Sequence, residues 1–348
     1  MLDSLDHIRE VDTRNMLQMV ADMPGHLRDS NLIGRSAQIE HDDIKNIVIC
    51  GLGGSAIGGD MISTWLSESC SVPCGVTRSY SVPAHVGPGS LVIAVSYSGD
   101  TEETLSMVDS AFARGAEVVA VSSGGRLKAV AEERGSVHCE VPSDLVPRAT
   151  VGHVFGAIVG ILESAGIAEA TEDLAETAAV LRMIISDCGP AAETSENPAK
   201  KLAHELHGTI PVSIGHGLSV PVARRWANQF NENAKMIAFS GELPEMNHNA
   251  IVGWVGDGRS QGYSMIFLDH DMCDAMMTRR VAATKEMLRD RVRVFSSTAM
   301  GRSLLAKMFS LVIVGDFTSV YAALLRGEDP STTEPIDALK RILAEKGS

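Results

Sequence analysis

Apolar residues recur along this chain in two rhythms. The runs Asn46-Ile-Val-Ile-Cys50, Leu91-Val-Ile-Ala-Val95 and Glu117-Val-Val-Ala-Val121 are short, continuous and rich in β-branched residues. They predict parallel strands buried on both faces. Further strands are predicted at 72–80, 136–141, 209–215, 236–239, 263–268 and 292–295. Helical spacing of apolar positions predicts helices at 60–66, 104–114, 127–133, 220–234, 279–288, 304–325 and 335–345. One or two leading helices are expected before residue 40, with Leu17, Val20 and Met23 packed together, and a helical bridge over 150–185. Strands alternating with helices make doubly wound, mainly parallel sheets between helical layers, an α/β class with αβα sandwiches. The unit of strand, Gly-rich turn and helix occurs once in each half. The expected division is a helical segment (1–40), a first αβα domain (41–148), a bridge (149–200) and a second αβα domain with C-terminal helices (201–348).

Length supports two domains, because 348 residues exceed one ordinary core. Aromatics are only 4% while glycines number 32, so the cores must rest on aliphatic residues between many tight turns. The net charge of −14 repels nucleic acid and anionic membranes at long range. An anionic ligand must therefore be captured locally, by backbone amides, hydroxyls and a few placed cations. The six scattered cysteines contain no CxxC pair and read as reduced thiols. The N-terminus shows no basic segment followed by an apolar run, and no stretch of about 18 uncharged apolar residues occurs. The expected location is the cytoplasm, with neither membrane nor nucleic acid as partner.

Two loops carry candidate chemistry. The first, residues 51–60, joins a buried strand to a helix through Gly51-Leu-Gly-Gly-Ser-Ala-Ile-Gly-Gly59. Such a turn lets amides and a helix N-terminus approach an anion, with Ser55 adding a hydroxyl. The bland reading is a tight turn without a ligand. A dinucleotide fingerprint fits loosely, but it needs an acid at the end of the next strand, and Val76-Thr-Arg78-Ser-Tyr80 has none. The second loop, Ser96-Tyr-Ser-Gly-Asp-Thr101, offers three hydroxyls before a helix. Taken alone it reads as ordinary N-capping. Both loops end neighbouring strands, where ligands of open α/β sheets bind, and together they suit a phosphomonoester.

Gly53-Gly-Ser-Ala-Ile-Gly-Gly59 and Ser96-Tyr-Ser-Gly-Asp-Thr-Glu-Glu-Thr104 resemble the sugar isomerase (SIS) domain. Arg224-Arg-Trp-Ala-Asn-Gln-Phe-Asn-Glu-Asn-Ala-Lys235 and Leu243-Pro-Glu-Met-Asn-His-Asn-Ala-Ile-Val-Gly-Trp254 resemble the bifunctional phosphoglucose/phosphomannose isomerases. The resemblance implies two SIS-type domains and aldose–ketose isomerisation through a cis-enediol, without cofactor or metal. It implies phosphate capture by Gly53, Gly54, Ser55, Ser96, Ser98 and Thr101. Glu232 then matches the catalytic base, His248 the histidine that opens the sugar ring, and Arg148 the arginine near the enediolate. Lys340 matches a C-terminal active-site lysine and Thr333 a threonine linked to use of the mannose epimer. A homodimer with a shared site is implied, leaving open which chain supplies His248.

The residues by themselves say less. Helix 220–234 places Ala223, Trp226, Ala227 and Phe230 on one face and Arg224, Asn228 and Glu232 on another. That second stripe reads equally as a solvated face with Glu232 paired to Lys235. His248, in a polar loop, reads as an exposed histidine or as one whose tautomer the two flanking asparagines fix. His204 and His207 have metal-like spacing but no third ligand. Two other functions stay open: an isomerase restricted to glucose 6-phosphate, and a non-catalytic SIS sensor of sugar phosphates. The second lacks the basic helix-turn-helix such a regulator carries.

Overall fold

A computed structural model describes residues 1–39 and 43–346. The chain opens with α1 (Leu5–Val11), α2 (Met16–Ala21) and α3 (Met23–Arg35). The first α/β unit follows as β1 (Asn46–Cys50), α4 (Gly53–Ser67), β2 (Cys74–Thr77), β3 (Ser90–Val95), α5 (Glu102–Ala113), β4 (Glu117–Ser122), α6 (Gly125–Glu133) and β5 (Val137–Glu140). Three helices lead onward: α7 (Val151–Ser164), α8 (Thr171–Cys188) and α9 (Pro198–Leu206). The second unit is β6 (Ile210–His216), α10 (Val220–Ala234), β7 (Phe239–Leu243), α11 (Ala250–Gly256), β8 (Tyr263–Asp269), α12 (Ala275–Leu288) and β9 (Arg293–Thr298). Helices α13 (Leu304–Arg326) and α14 (Glu334–Lys346) end the described chain.

Both sheets are parallel. Their strand orders are β2-β1-β3-β4-β5 and β7-β6-β8-β9. Each sheet therefore reverses its winding once, between β1 and β3 in the first and between β6 and β8 in the second. The buried runs explain the layers. Ile47 and Ile49 of β1 enter a central core, while Val48 and Cys50 enter a second core on the other face with Met107 and Val108 of α5. The central core is continuous between the sheets and holds α7, α10 and α13. Helix α13 is long and apolar enough to cross a membrane, yet 89% of its apolar window is buried in the protein. It is the core helix. Trp226 donates its indole N–H to the Leu311 carbonyl at 2.9 Å, and the ring lies where a Cβ on Gly315 would stand.

Helices α3 and α7 touch backbone to backbone. A Cβ on Gly156 would sit 2.4 Å from the Leu27 carbonyl oxygen. In an open helix, Gly→Ala stabilises by up to about 1 kcal/mol. Here the sign reverses: Gly156→Ala is expected to cost about 1–3 kcal/mol in chemical denaturation, because neither backbone can yield cheaply. A stabilised variant would show that the helices do not approach this closely.

Several elements differ from the sequence expectation. The strand expected at 236–239 starts only at Phe239. The Asn231 side chain donates to the carbonyls of Ala227 and Ala238 and accepts from the Ala238 amide, so it holds residues before Phe239 off the ladder. The leading segment forms three helices, and the bridge breaks into α7 and α8. Leu17, Val20 and Met23 are buried in the central core. Helices α9 and α11 were not foreseen, although Asn197 caps α9 by accepting from Lys200 N–H at 2.9 Å, with Pro198 in its first turn. The boundary expected at residues 40–41 lies outside the described residues. All six cysteines are free, and burial pushes the thiols of Cys50, Cys74, Cys139 and Cys188 up to about 12.

Candidate active site

The glycine segment is less of a loop than its composition predicts. Helix α4 already starts at Gly53, so Gly58 and Gly59 lie inside it. Their role is close packing: a Cβ on Gly58 would meet Val154 at 2.9 Å, and one on Gly59 would meet Ile49 at the same distance. The part suited to an anion narrows to Gly53, Gly54 and Ser55, the first turn. Gly53 adopts φ +54°, and the amides of Gly53 and Gly54 lack acceptors in the main chain.

The second loop ends β3, beside β1. Thr101 occupies the N-cap position of α5, but its side chain makes no capping bond. Instead the buried Ser96 hydroxyl donates to Thr101 Oγ1 at 2.8 Å and accepts from the Thr101 amide at 3.3 Å. Ser98 is exposed and accepts from the Asp100 amide at 3.3 Å. Gly99, at φ +77°, lies so close to Gly124 that a Cβ would stand 1.9 Å from the Gly124 carbonyl oxygen. The loop is thus held rigid from behind, with hydroxyls not used up in capping.

Helix α10 has the predicted bounds and buries Ala223, Trp226, Ala227 and Phe230. Its polar stripe faces α4 rather than bulk solvent. Arg224 meets Asp60 of α4 at 2.7 Å, and Arg78 meets the same carboxylate oxygen at 2.5 Å. Arg78 stands where a dinucleotide site would require an acid. At the other end of α10, Glu232 Oε2 lies 3.9 Å from Arg148 Nη1. Arg148 belongs to a single 3₁₀ turn, Pro147–Ala149, against the first turn of α4: a Cβ on Gly54 would lie 3.9 Å from Arg148 Cα. The C-terminal end of α10 and the N-terminal end of α4 therefore share one place, and the unpaired amides of Gly53 and Gly54 adjoin the carboxylate–guanidinium pair.

Arg148 is 3% exposed and tightly held. Its Nε–H donates to Asn233 Oδ1 at 2.5 Å and its Nη2 to the Pro330 carbonyl. Asn233 in turn donates to Ser319 Oγ at 2.8 Å. The Arg148 carbonyl accepts from Arg225, whose guanidinium forms a buried two-pronged pair with Asp316 at 2.6 and 3.0 Å, while Gln229 donates to the same carboxylate. Burial pushes the Glu232 carboxyl above its ordinary range, against the downward pull of Arg148 first, then Arg225 and Lys235. A carboxylate made more basic beside a fixed cation is suited to moving a proton while negative charge gathers on a neighbouring oxygen.

Lys235 was read from sequence only as a surface partner for Glu232. Its Nζ donates instead to the Asn233 carbonyl at 3.1 Å and to the Asp329 carbonyl. Its backbone is left-handed, φ 51°, at the C-cap of α10, a conformation few non-glycine residues take. Burial, and Arg148 after it, hold its ammonium below the ordinary value. Asp329 was also missed. It accepts from Thr13 Oγ1 at 2.5 Å and from Ser331, fixing the turn that supplies the Pro330 carbonyl.

The charges that act on the Glu232 carboxyl are Arg148, Arg225 and Lys235; His248 and Lys340 are not among them. Both are exposed. Neither asparagine binds His248: Asn247 donates to Thr284 Oγ1 at 2.9 Å and Asn249 to Glu245 Oε1 at 2.6 Å. Lys340 rides on α14, whose Ile336, Leu339 and Leu343 are also exposed. Thr333 is half-buried at the start of that helix, four residues after Asp329. His204 and His207 are exposed near the end of α9.

Residues 42–132 match the SIS domain family, and residues 195–343 match the bacterial phospho-glucose isomerase C-terminal SIS domain. A bifunctional phosphoglucose/phosphomannose isomerase of Caldicellulosiruptor bescii is 37% identical over 95% of this chain and 99% of its own. A protein of the same name from Aquifex aeolicus is 33% identical over 88% of this chain and 95% of its own. Among solved structures, a hypothetical protein from Thermus thermophilus shares the fold, with a TM-score of 0.75 over 98% of this chain and 93% of its own, at 16% identity. Likeness of sequence from end to end, over two parallel-sheet α/β domains, places the chain: it belongs to the bifunctional phosphoglucose/phosphomannose isomerase family.

Proposed function

We propose that the protein interconverts glucose 6-phosphate and mannose 6-phosphate with fructose 6-phosphate. The observation that carries this reading is the junction of α4 and α10, where Glu232 and Arg148 adjoin the free amides of Gly53 and Gly54. The phosphate sits on those amides with Ser55, Ser96, Ser98 and Thr101. The open-chain sugar then reaches toward Glu232.

Glu232 takes the C2 proton, the C2–H electrons form the C1–C2 double bond, and charge moves to the C1 oxygen beside Arg148. The hydroxyl proton passes from O2 to O1, and Glu232 returns its proton to C1, giving the ketose. One carboxylate serves both carbons because they are adjacent and the cis-enediol is planar. Rotation about C2–C3 presents the other face of that plane, which makes the mannose epimer accessible; Thr333, beside this end of the site, is assigned to that choice. His248 opens the sugar ring, aided by Lys340. The exposure of His248 next to exposed Val252 fits a homodimer in which the partner chain completes the site. The protein is assigned to the cytoplasm, in keeping with its free thiols.

A coupled assay for fructose 6-phosphate, run from each aldose in turn, tests the reading. Turnover of both is expected. Turnover of the glucose epimer alone would leave a glucose-6-phosphate isomerase, and tight binding without turnover would leave a sugar-phosphate sensor.

A further inference from the structure

The second sheet has its own crevice at the reversal between β6 and β8, the position that holds the phosphate loops in the first sheet. The residues there are of another kind. His216 ends β6, His270 follows β8, and Cys273 lies just before α12. The imidazoles stack with ring centroids 4.1 Å apart, and the candidate ligand atoms of all three residues lie within 4.8 Å of one another. His216 is 2% exposed and His270 8%. None of these residues contributes to the Glu232–Arg148 site.

Hydrogen bonding settles one tautomer. His270 Nε2 lies 2.8 Å from the His216 carbonyl, which can only accept, so Nε2 carries the proton and Nδ1 is left with a bare lone pair. Both Nδ1 atoms are buried without a hydrogen-bond partner. A buried polar atom left unpaired is costly, so two in one cluster are hard to account for as packing alone. An N–H donated to a main-chain carbonyl, with the opposite ring nitrogen free, is the way metal-binding histidines are oriented. Cys273 is half-buried, its Sγ 3.4 Å from Thr278 Oγ1 and 3.7 Å from the His270 carbonyl oxygen, to which the thiol donates.

We propose that His216, His270 and Cys273 bind one zinc-type divalent transition metal ion. Two imidazole nitrogens and a thiolate suit a borderline-soft ion, with water in the fourth position. Ligand bonds of about 2.0–2.3 Å around a tetrahedral ion require the two imidazoles, now stacked with an interplanar angle of 24°, to turn so that their lone pairs converge on it. The ion would tie the ends of β6 and β8 to the start of α12, and binding releases the thiol proton. The inference rests on this geometry alone and stands or falls apart from the isomerase reading.

The test is a titration of chelator-treated full-length protein with Co²⁺, followed by absorption. The expected result is one Co²⁺ per chain, with a thiolate-to-metal charge-transfer band that Zn²⁺ displaces. Cys273→Ser removes the band, and His270→Gln weakens binding by more than about tenfold. A His204→Gln/His207→Gln double variant, altered at exposed positions on and just after α9, keeps the wild-type spectrum. Should His270→Gln fail to fold, Zn²⁺ stoichiometry of wild type against Cys273→Ser by native mass spectrometry decides the matter. No thiolate band at saturating Co²⁺, or a band that survives Cys273→Ser, overturns the proposal.

Discussion

Glu232→Gln is expected to lower kcat/KM for fructose 6-phosphate formation by about 10³-fold, within the range for loss of a general base, while sugar-phosphate affinity changes little. The substitution keeps the shape of the side chain and removes only its ability to hold a proton at C2 and release it at C1. The proposed phosphate site lies in the other half of the chain, on the first turn of α4 and the loop after β3, and neither depends on the charge of Glu232. The fold should not suffer. Burial raises the pKa of this carboxyl, so the folded state binds its proton more tightly than the unfolded chain does. Its contribution to stability is therefore lost as pH rises from the ordinary glutamate range through that raised value. Glutamine carries no such slope, so the variant should match or slightly exceed wild type at neutral pH. A coupled assay, calorimetric titration with substrate and a thermal melt separate the three effects. Turnover within tenfold of wild type sinks the base assignment; lost binding would mean that Glu232 holds the sugar rather than reacting with it.

What could be read in the sequence follows from how local each signal is. Helix α10 was predicted to the residue because Trp226 and Phe230 mark its buried face and Ala234 is followed by a residue that leaves the helix. The strands β1, β3 and β4 were legible because both their faces are buried. Glycine misled, since it marks tight turns and close packing alike. Gly58 and Gly59 are there for Val154 and Ile49, residues that periodicity cannot place opposite them. Arg148 carried no local signal at all. Its importance comes from Asn233, Pro330 and the first turn of α4, all distant in sequence. The same holds for His216 and His270, which meet only because β6 and β8 pair across the reversal of the second sheet. Resemblance to the SIS isomerases named His248 and Lys340, and both side chains are exposed.

Arg148→Met is expected to lower kcat by about 10²–10³-fold, the range for losing one preorganised group that stabilises developing charge. Its pH dependence distinguishes that role from a structural one. Arg148 pulls the Glu232 carboxyl down while burial pushes it up. Removing the cation leaves burial less opposed, so the pKa of Glu232 climbs further. A base works only when deprotonated, and the acid limb of kcat/KM must therefore move to higher pH. A guanidinium that buttressed the Pro330 carbonyl and Asn233 without coupling to Glu232 would lower activity through lost positioning alone, with the limb unmoved. Arg148→Lys completes the argument. Lysine keeps the charge but cannot reproduce the fork that joins Nε to Asn233 and Nη2 to Pro330. It should return the acid limb toward the wild-type position while restoring only part of the rate. Arg225 and Asp316 remain paired in both variants, so the core beneath the site stays closed and melting curves should show folded protein. If the limb does not move in Arg148→Met although the protein is folded, the pair at 3.9 Å does not couple during the reaction, and the charge on the enediolate must be met by another cation, for which Lys235 is the nearest candidate.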